Sequence, residues 1–314
     1  MKAVHTSVLP EEVMQYLAPP SGGGFGVDAT LGEGGHAARF LERFPSFRLA
    51  GVDADKEILN RARERLVSYG GRIRFFNCWA GEFFSSYPSD LPKPDRILFD
   101  LGISLFHYEV SRRGFSFRQD EFLDMRLDAS RGKTAAELIA GLTEKELADL
   151  IYKNAEERYS RRIAAAIKRQ GPVTTTGALA GIVAASVPAA YRRGPIHPAT
   201  RTFQAIRMAV NDEAEKLPVM LESALGVLKT GGRMGVISFH SGEDRLVKNF
   251  FRSRSRDYLP AGEAPINRGG SVCTVRILTR KPVTAGEEER VSNPPSRSAK
   301  FRAVEKINET GVIS

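Results

Sequence analysis

Only two of the 314 residues are cysteine, Cys78 and Cys273, and only one is tryptophan. Two cysteines so far apart make neither a disulfide framework nor a zinc cluster, which points to a reduced, cytoplasmic protein with no metal. No apolar run approaches the roughly 18 residues that a membrane span needs. Met1-Lys2-Ala3-Val4-His5 opens without the apolar stretch of a secretory signal. A Gly-x-Gly-x-x-Gly dinucleotide fingerprint is missing too, as are internal repeats and low-complexity segments. These gaps set aside membrane proteins, disulfide-stapled scaffolds and zinc modules, and they argue against nicotinamide enzymes.

What is present is an ordinary globular composition, 42% hydrophobic and 26% charged, long enough for about two domains. Lys and Arg number 46 against 37 Asp and Glu, a net charge of +9. The excess is not uniform. Residues 1–110 carry 12 basic and 14 acidic groups, 111–198 carry 15 and 10, 199–244 carry 5 and 6, and 245–306 carry 14 and 6. Positive charge gathered in a central block and near the C-terminus suits a polyanion such as nucleic acid, against the plainer reading of a solvated surface.

The first hundred residues alternate between strand and helix signals. Phe25–Thr30, Arg48–Asp53, Ile73–Phe76 and Arg96–Asp100 are predicted strands, with helices over His36–Phe44 and Lys56–Tyr69. Such alternation implies α/β architecture, a parallel sheet covered on both faces. It stops at an irregular stretch, 111–133, dense in Arg, Asp and Phe. Residues 134–187 are predicted helical throughout, and Thr134/Glu137 and Thr143/Glu146 have capping-box spacing. Ala199–Leu228 is predicted as one long helix ending at Gly231-Gly232. Arg233–Phe239 is a further strand, and Val272–Leu278 an antiparallel edge strand. Residues 252–271 and 282–298 look like loops. The expected organisation is a sheet domain from 1–110 plus 199–314, interrupted by a mostly helical substrate-recognition domain, 111–198.

The strongest local signal is Asp28-Ala29-Thr30-Leu31-Gly32-Glu33-Gly34-Gly35-His36, between a strand and a helix. Glycines allow a sharp turn and close approach to a ligand, and the helix start offers unpaired N–H groups. A nucleotide-like cofactor fits this place in an open α/β sheet. A pyrophosphate would be repelled by Asp28 and Glu33, whereas a cationic cofactor would not. S-adenosylmethionine, with its sulfonium and ammonium groups, is the obvious candidate. Asp53, at the end of the second strand, suits ribose hydroxyls. Asp100 ends the fourth strand, where methyl donor and acceptor should meet.

Thirteen runs in order carry a likeness: His5–Leu9; Asp28–His36; Asp100-Leu101-Gly102-Ile103-Ser104; Arg113-Gly114-Phe115-Ser116-Phe117; Leu123-Asp124-Met125-Arg126; Glu156-Glu157-Arg158; His197–Arg201; Phe203–Arg207; Asn211-Asp212-Glu213; Gly231-Gly232-Arg233; Ser238-Phe239-His240-Ser241; Glu243-Asp244-Arg245; and Arg297–Lys300. Together they resemble the 16S ribosomal RNA cytosine-N4 methyltransferase family, from about His5 to Glu305. The resemblance implies a class I S-adenosylmethionine-dependent methyltransferase, Rossmann-like, with a helical insertion. It implies methylation of the exocyclic N4 amine of a P-site cytidine in the small ribosomal subunit. It also implies cofactor contacts at Gly34, Gly35, His36, Asp53, Trp79, Asp100 and His107. Trp79 stands where Phe is usual and His107 where Gln is. Other departures are Ser7 for Pro, Leu105 for Ser, Glu109 for Asp, Ala155 for Gly, Gly242 for Leu, and Pro295-Ser296 in the run after Asn293.

Methyl transfer from a sulfonium is an in-line displacement in which positioning supplies much of the rate. The cytosine amine is a poor nucleophile because its lone pair is delocalised into the ring. A site should accept hydrogen bonds from it and receive a proton late. Asp100 is the candidate catalytic group, alongside the carbonyls of Leu101-Gly102; Asp100 could equally hold the methionine amino group. The base must leave its stack. Arg113 and Phe115 could meet the RNA, although Phe is more often core. Asp124 and Arg126 either pair internally or read the cytosine edge. His240 and Arg245 follow the fifth strand, at the ligand-binding edge. Arg158, Arg161, Arg162, Lys168 and Arg169 on one helical stretch, and Arg252, Arg254, Arg256, Arg297, Lys300 and Arg302 in the tail, could track phosphates. Monomer and dimer are both open.

Overall fold

The computed structural model describes residues 7–255 and 273–308. His5, Thr6, Arg256 and Val272 lie outside the described residues. In chain order the elements are α1 (Pro10–Tyr16), β1 (Gly24–Asp28), α2 (Gly35–Arg43), β2 (Phe47–Asp53), α3 (Lys56–Arg65), β3 (Ile73–Asn77), α4 (Ala80–Ser85) and β4 (Arg96–Asp100). Helices α5 (Leu105–Glu109), α6 (Ala135–Gly141), α7 (Glu144–Ala155), α8 (Ser160–Gln170), α9 (Thr176–Ser186), α10 (Ala189–Arg192) and α11 (Thr200–Val210) follow. The chain then forms α12 (Glu213–Val227), β5 (Arg233–Ser238), α13 (Ser241–Ser253), β6 (Val275–Ile277), α14 (Glu287–Ser292) and β7 (Lys300–Lys306).

The strands make one sheet in the order β3-β2-β1-β4-β5-β7-β6. β3, β2, β1, β4 and β5 run parallel, while β7 is antiparallel to β5 and to the edge strand β6. The order reverses between β1 and β4, so the carboxyl ends there open onto a crevice. Strand residues alternate between two cores. Val27, Val52, Ile97 and Phe99 join Leu217, Leu221 and Leu225 of α12, Phe83 of α4 and Phe250 of α13. Leu49, Leu98, Ile237 and Phe301 join Val13 of α1, Phe40 of α2 and Leu59 of α3. Helices therefore cover both faces, as parallel strands require. This is the α/β architecture, a mostly parallel sheet covered on both faces, that the sequence implied.

The chain divides into two units: residues up to Ile103 together with those from Lys216 on, and Ser104–Glu215. The second is wider than the expected 111–198, because α5 and α11 belong to it. Asn154 of α7 donates to the Ala205 carbonyl of α11 at 3.0 Å. Both predicted capping boxes form. The N–H groups of Glu137 and Glu146 donate to the Thr134 and Thr143 hydroxyls at 3.2 and 3.3 Å.

Three expectations fail. The long helix over 199–228 is two helices, broken where Asp212 takes φ 53° and Asn211 turns its side chain onto the Arg207 carbonyl at 2.9 Å. Residues 282–298 are not all loop, since α14 lies within them. The basic tail from Lys300, expected to be able to track phosphates, is instead β7, second from the sheet edge.

Candidate functional site

The glycine loop leaves β1 and is tied to its neighbours. Ala29 N–H donates to the Leu98 carbonyl and Leu31 N–H to that of Val52, both at 2.9 Å. Gly32 N–H donates to Asp53 Oδ2 at 2.8 Å, and Asp55 N–H to Asp53 Oδ1 at 2.9 Å. Asp53 thus shapes the loop. Each carboxylate oxygen has two lone pairs, so both can still accept from ribose hydroxyls. Gly34 sits at φ 77°, and a Cβ there would stand 2.7 Å from Leu66 Cδ1. Its glycine is required by packing against the chain that ends α3 as well as by the turn. A Cβ on Gly35 would collide with the Ser7 hydroxyl.

Two acids at adjacent strand ends dominate the electrostatics. Asp28 is 4% exposed, and its Oδ1 has no hydrogen-bond partner among the described residues; Asp100 Oδ1 has none either. Burial, then the neighbouring Asp100, pushes the Asp28 carboxyl up to about 8. Burial pushes Asp100 up to about 7, opposed by a backbone hydrogen bond from Gly102 and reinforced by Glu243. Asp100 N–H donates to Thr30 Oγ1 at 2.6 Å, and His36 Nε2 lies 3.7 Å from Asp100 Oδ2. Buried acceptors are normally satisfied, so bare carboxylate oxygens mark a place for donors or a cation. This donor set fits an S-adenosylmethionine: anionic groups for its positive charges and acceptors for its hydroxyls. A pyrophosphate does not fit.

Trp79 stands half-buried at the start of α4, and Lys216 Nζ lies 4.0 Å from its ring centroid. His240 caps α13. Its Nδ1 accepts Glu243 N–H at 3.3 Å, and its Nε2 lies 2.8 Å from Glu243 Oε1. Glu243 also accepts Phe239 N–H at 3.0 Å. Nδ1 of His240 is thus spent on the cap, while its buried Nε2 makes no hydrogen bond among the described residues. Arg245, one turn on, is exposed.

In the second unit the expected substrate residues turn inward. Arg113 Nη1 donates to the Arg126 and Leu127 carbonyls at 3.1 and 3.0 Å, so it braces the loop where a phosphate contact was expected. Phe115 is 4% exposed and meets the His107 ring at 5.1 Å, which is core packing. His107 is buried between Phe106 and Phe115. Asp124 and Arg126 form a two-point ion pair, at 2.7 and 2.9 Å, which is the internal alternative. Asn211 clamps the same loop, donating to the Met125 carbonyl and accepting Leu127 N–H.

The basic tail is corrected as well. Arg302 is buried in a two-point pair with Asp244, Lys300 lies 3.7 Å from the same acid, and Arg254 pairs with Glu222. On α8, Lys168 Nζ is spent on the Ile139 carbonyl at 2.6 Å, and Arg158 precedes the helix. Sequence reasoning missed Thr30, Asn211 and Glu243 as positioning groups, and Asp28 as half of a buried acid pair. His240 and Glu243 have the spacing of a capping box, a signal that was there to find.

No helix among the described residues is long and apolar enough to cross a membrane, and no cluster among them could hold a metal. The family model for the MraW methylases matches residues 2–307. A ribosomal RNA small subunit methyltransferase H from Treponema denticola is 49% identical over 98% of this chain and 99% of its own. The protein of that name from Citrifermentans bemidjiense is 46% identical over 96% and 98%, and that from Treponema pallidum 39% over 96% and 92%.

Proposed function

The chain belongs to the MraW methylase family, and from that premise we propose that it methylates the exocyclic N4 amine of a P-site cytidine in 16S ribosomal RNA. It is an S-adenosylmethionine-dependent methyltransferase acting on small-subunit ribosomal RNA. The observation that carries the reading is the buried carboxylate pair, Asp28 and Asp100, each with an unsatisfied oxygen beside a glycine loop.

S-adenosylmethionine, when bound, supplies an electrophilic methyl group on a positively charged sulfur. Gly34, Gly35 and His36 at the start of α2 would hold it, Asp53 would accept from its hydroxyls, and Trp79 would offer a ring face to its base. Asp28 and Asp100 balance its positive charge. Asp100 also sits beside the Leu101 and Gly102 carbonyls at the end of β4, where acceptors for the cytosine amine belong. Acceptors placed there draw the amine out of conjugation and orient its lone pair for in-line attack. An aspartate held near neutrality can then take the proton released when the new N–C bond forms.

Labelled S-adenosylmethionine, small ribosomal subunits lacking the modification, and identification of the product nucleoside test this. N4-methylated cytidine is expected. Label on a ring carbon or a ribose oxygen would refute the N4 assignment, and Asp100→Asn methylating at full rate with normal cofactor affinity would remove Asp100 from the chemistry.

A further inference from the structure

The function just argued leaves unused the longest stretch of the chain that carries no acidic residue. From Arg158 to Arg201 there are eight basic residues and no acidic one. The whole run lies in the second unit. Arg158, Arg192, Arg193 and Arg201 are exposed, and none of the four forms an ion pair among the described residues. That separates them from Arg113, Arg126 and Arg302, whose forks are spent on carbonyls and carboxylates.

The platform beneath them is built, not incidental. Glu157, fully buried, accepts Tyr159 N–H at 2.9 Å and the Tyr191 hydroxyl at 2.5 Å. The two rings are thereby held edge to face, 5.0 Å apart. The Arg158 guanidinium lies over both, 4.9 and 5.0 Å from their centroids. Arg201 is near enough to act on the Tyr191 phenol, and Arg192 and Arg193 follow Tyr191 directly. A guanidinium whose flat face is covered by aromatic rings keeps its in-plane N–H fork for an anion. That fork matches two phosphate oxygens at once.

We propose that Arg158, Arg192, Arg193 and Arg201, gathered about Tyr191, form a docking surface for the phosphate backbone of small-subunit ribosomal RNA. The inference rests on the reading that this RNA is the substrate. Phosphate contacts carry register and orientation, not sequence, so the surface holds the particle while other groups select the base. An acidic protein surface would engage the same charges, but it lacks the dense line of phosphates that four unpaired arginines suit.

The test replaces all four arginines by Gln and measures binding to small ribosomal subunits lacking the modification, across a range of salt. Each lost phosphate contact should reduce the slope of log Kd against log salt by about 0.7–0.9, so a fall of about 3 is expected. KM for the subunit should rise about tenfold or more, with kcat at saturating subunit, thermal midpoint and cofactor Kd held. An unchanged slope in a folded variant overturns the proposal, as does an affinity loss that is independent of salt. Should the fourfold variant not fold, Arg192→Gln with Arg193→Gln should lower the slope by about 1.5, and no change there overturns it equally. If wild type and variant both fail to transfer methyl groups while the slope still falls, the enzyme reading fails and the docking surface stands. Normal methyl transfer with an unchanged slope removes the docking surface alone.

Discussion

Asp28 and Asp100 show how a single buried acid ties chemistry to stability. Their carboxyls titrate near 8 and 7 in the fold, against about 4 in an unfolded chain. Between about pH 4 and 8 the folded protein therefore holds more protons than the unfolded one, and its stability falls as pH rises through that window. Each carboxyl contributes at most about 1.4 kcal/mol per pH unit. Asp28→Asn should flatten the curve and raise stability at pH 8, read by urea unfolding at several pH values; an unaltered curve would deny the buried acid its role. A cation bound beside the pair has the opposite preference, so cofactor affinity should climb from about pH 6 to 8. Gly34 makes a second point. Its φ of 77° and the 2.7 Å approach of Leu66 Cδ1 leave no room for a methyl group. Gly34→Ala should cost about 1–3 kcal/mol in strain and overpacking and lower the thermal midpoint, with or without cofactor present. The glycines were legible because only glycine serves such a turn. Asp28 was visible only as a flank to the loop, since its solitude depends on burial that no linear reading supplies.

Strands β1, β2, β4 and β5 were legible because both their faces are buried and their runs are almost wholly apolar. β7 was not, although it is paired on both sides and mostly buried. Its basic residues find partners where they stand: Arg302 in the Asp244 carboxylate, and Lys306 in the Leu228 carbonyl, to which it donates at 2.8 Å. Charge density resembles a solvated arm until the partners are known. Arg302→Met should leave the half-buried Asp244 carboxylate short of its main partner and cost about 2 kcal/mol, while leaving the salt dependence of RNA binding unchanged. A shallower salt slope would return Arg302 to the phosphate contacts. The break between α11 and α12 follows the same logic. Asn211 trades helix continuity for hydrogen bonds to the Arg207 and Met125 carbonyls and from Leu127 N–H. Asn211→Ala should cost at least about 2 kcal/mol by orphaning those buried groups, measurable as a lower urea midpoint. Two of these three bonds reach across more than eighty residues of sequence and leave no local signal.

On the reading proposed above, two units on one chain divide the work by charge. The sheet unit holds buried carboxylate oxygens without partners, assigned there to a cationic cofactor, and the second unit holds exposed arginines, assigned there to a polyanion. The border between them was misplaced from sequence because it falls where composition does not change. α5 follows β4 almost without a gap, and α12 starts in one unit and ends in the other. Packing, not composition, decides which unit a helix joins: Asn154 holds α11 to α7 across about fifty residues that look much alike. A division of labour of this kind has a spatial signature in hydrogen exchange. S-adenosylmethionine alone should slow exchange of the amides at 29–36 and 100–102, because its binding stabilises the local structure it touches. Small ribosomal subunits should slow exchange across 158–162 and 191–201 whether or not the cofactor is present. Cofactor-induced protection that also reaches 104–107 would add His107 to the cofactor's contacts, as the family resemblance implies. Protection of 158–201 by the cofactor alone would mean that the charges there answer to the small ligand, and the separation of roles between the units would fall.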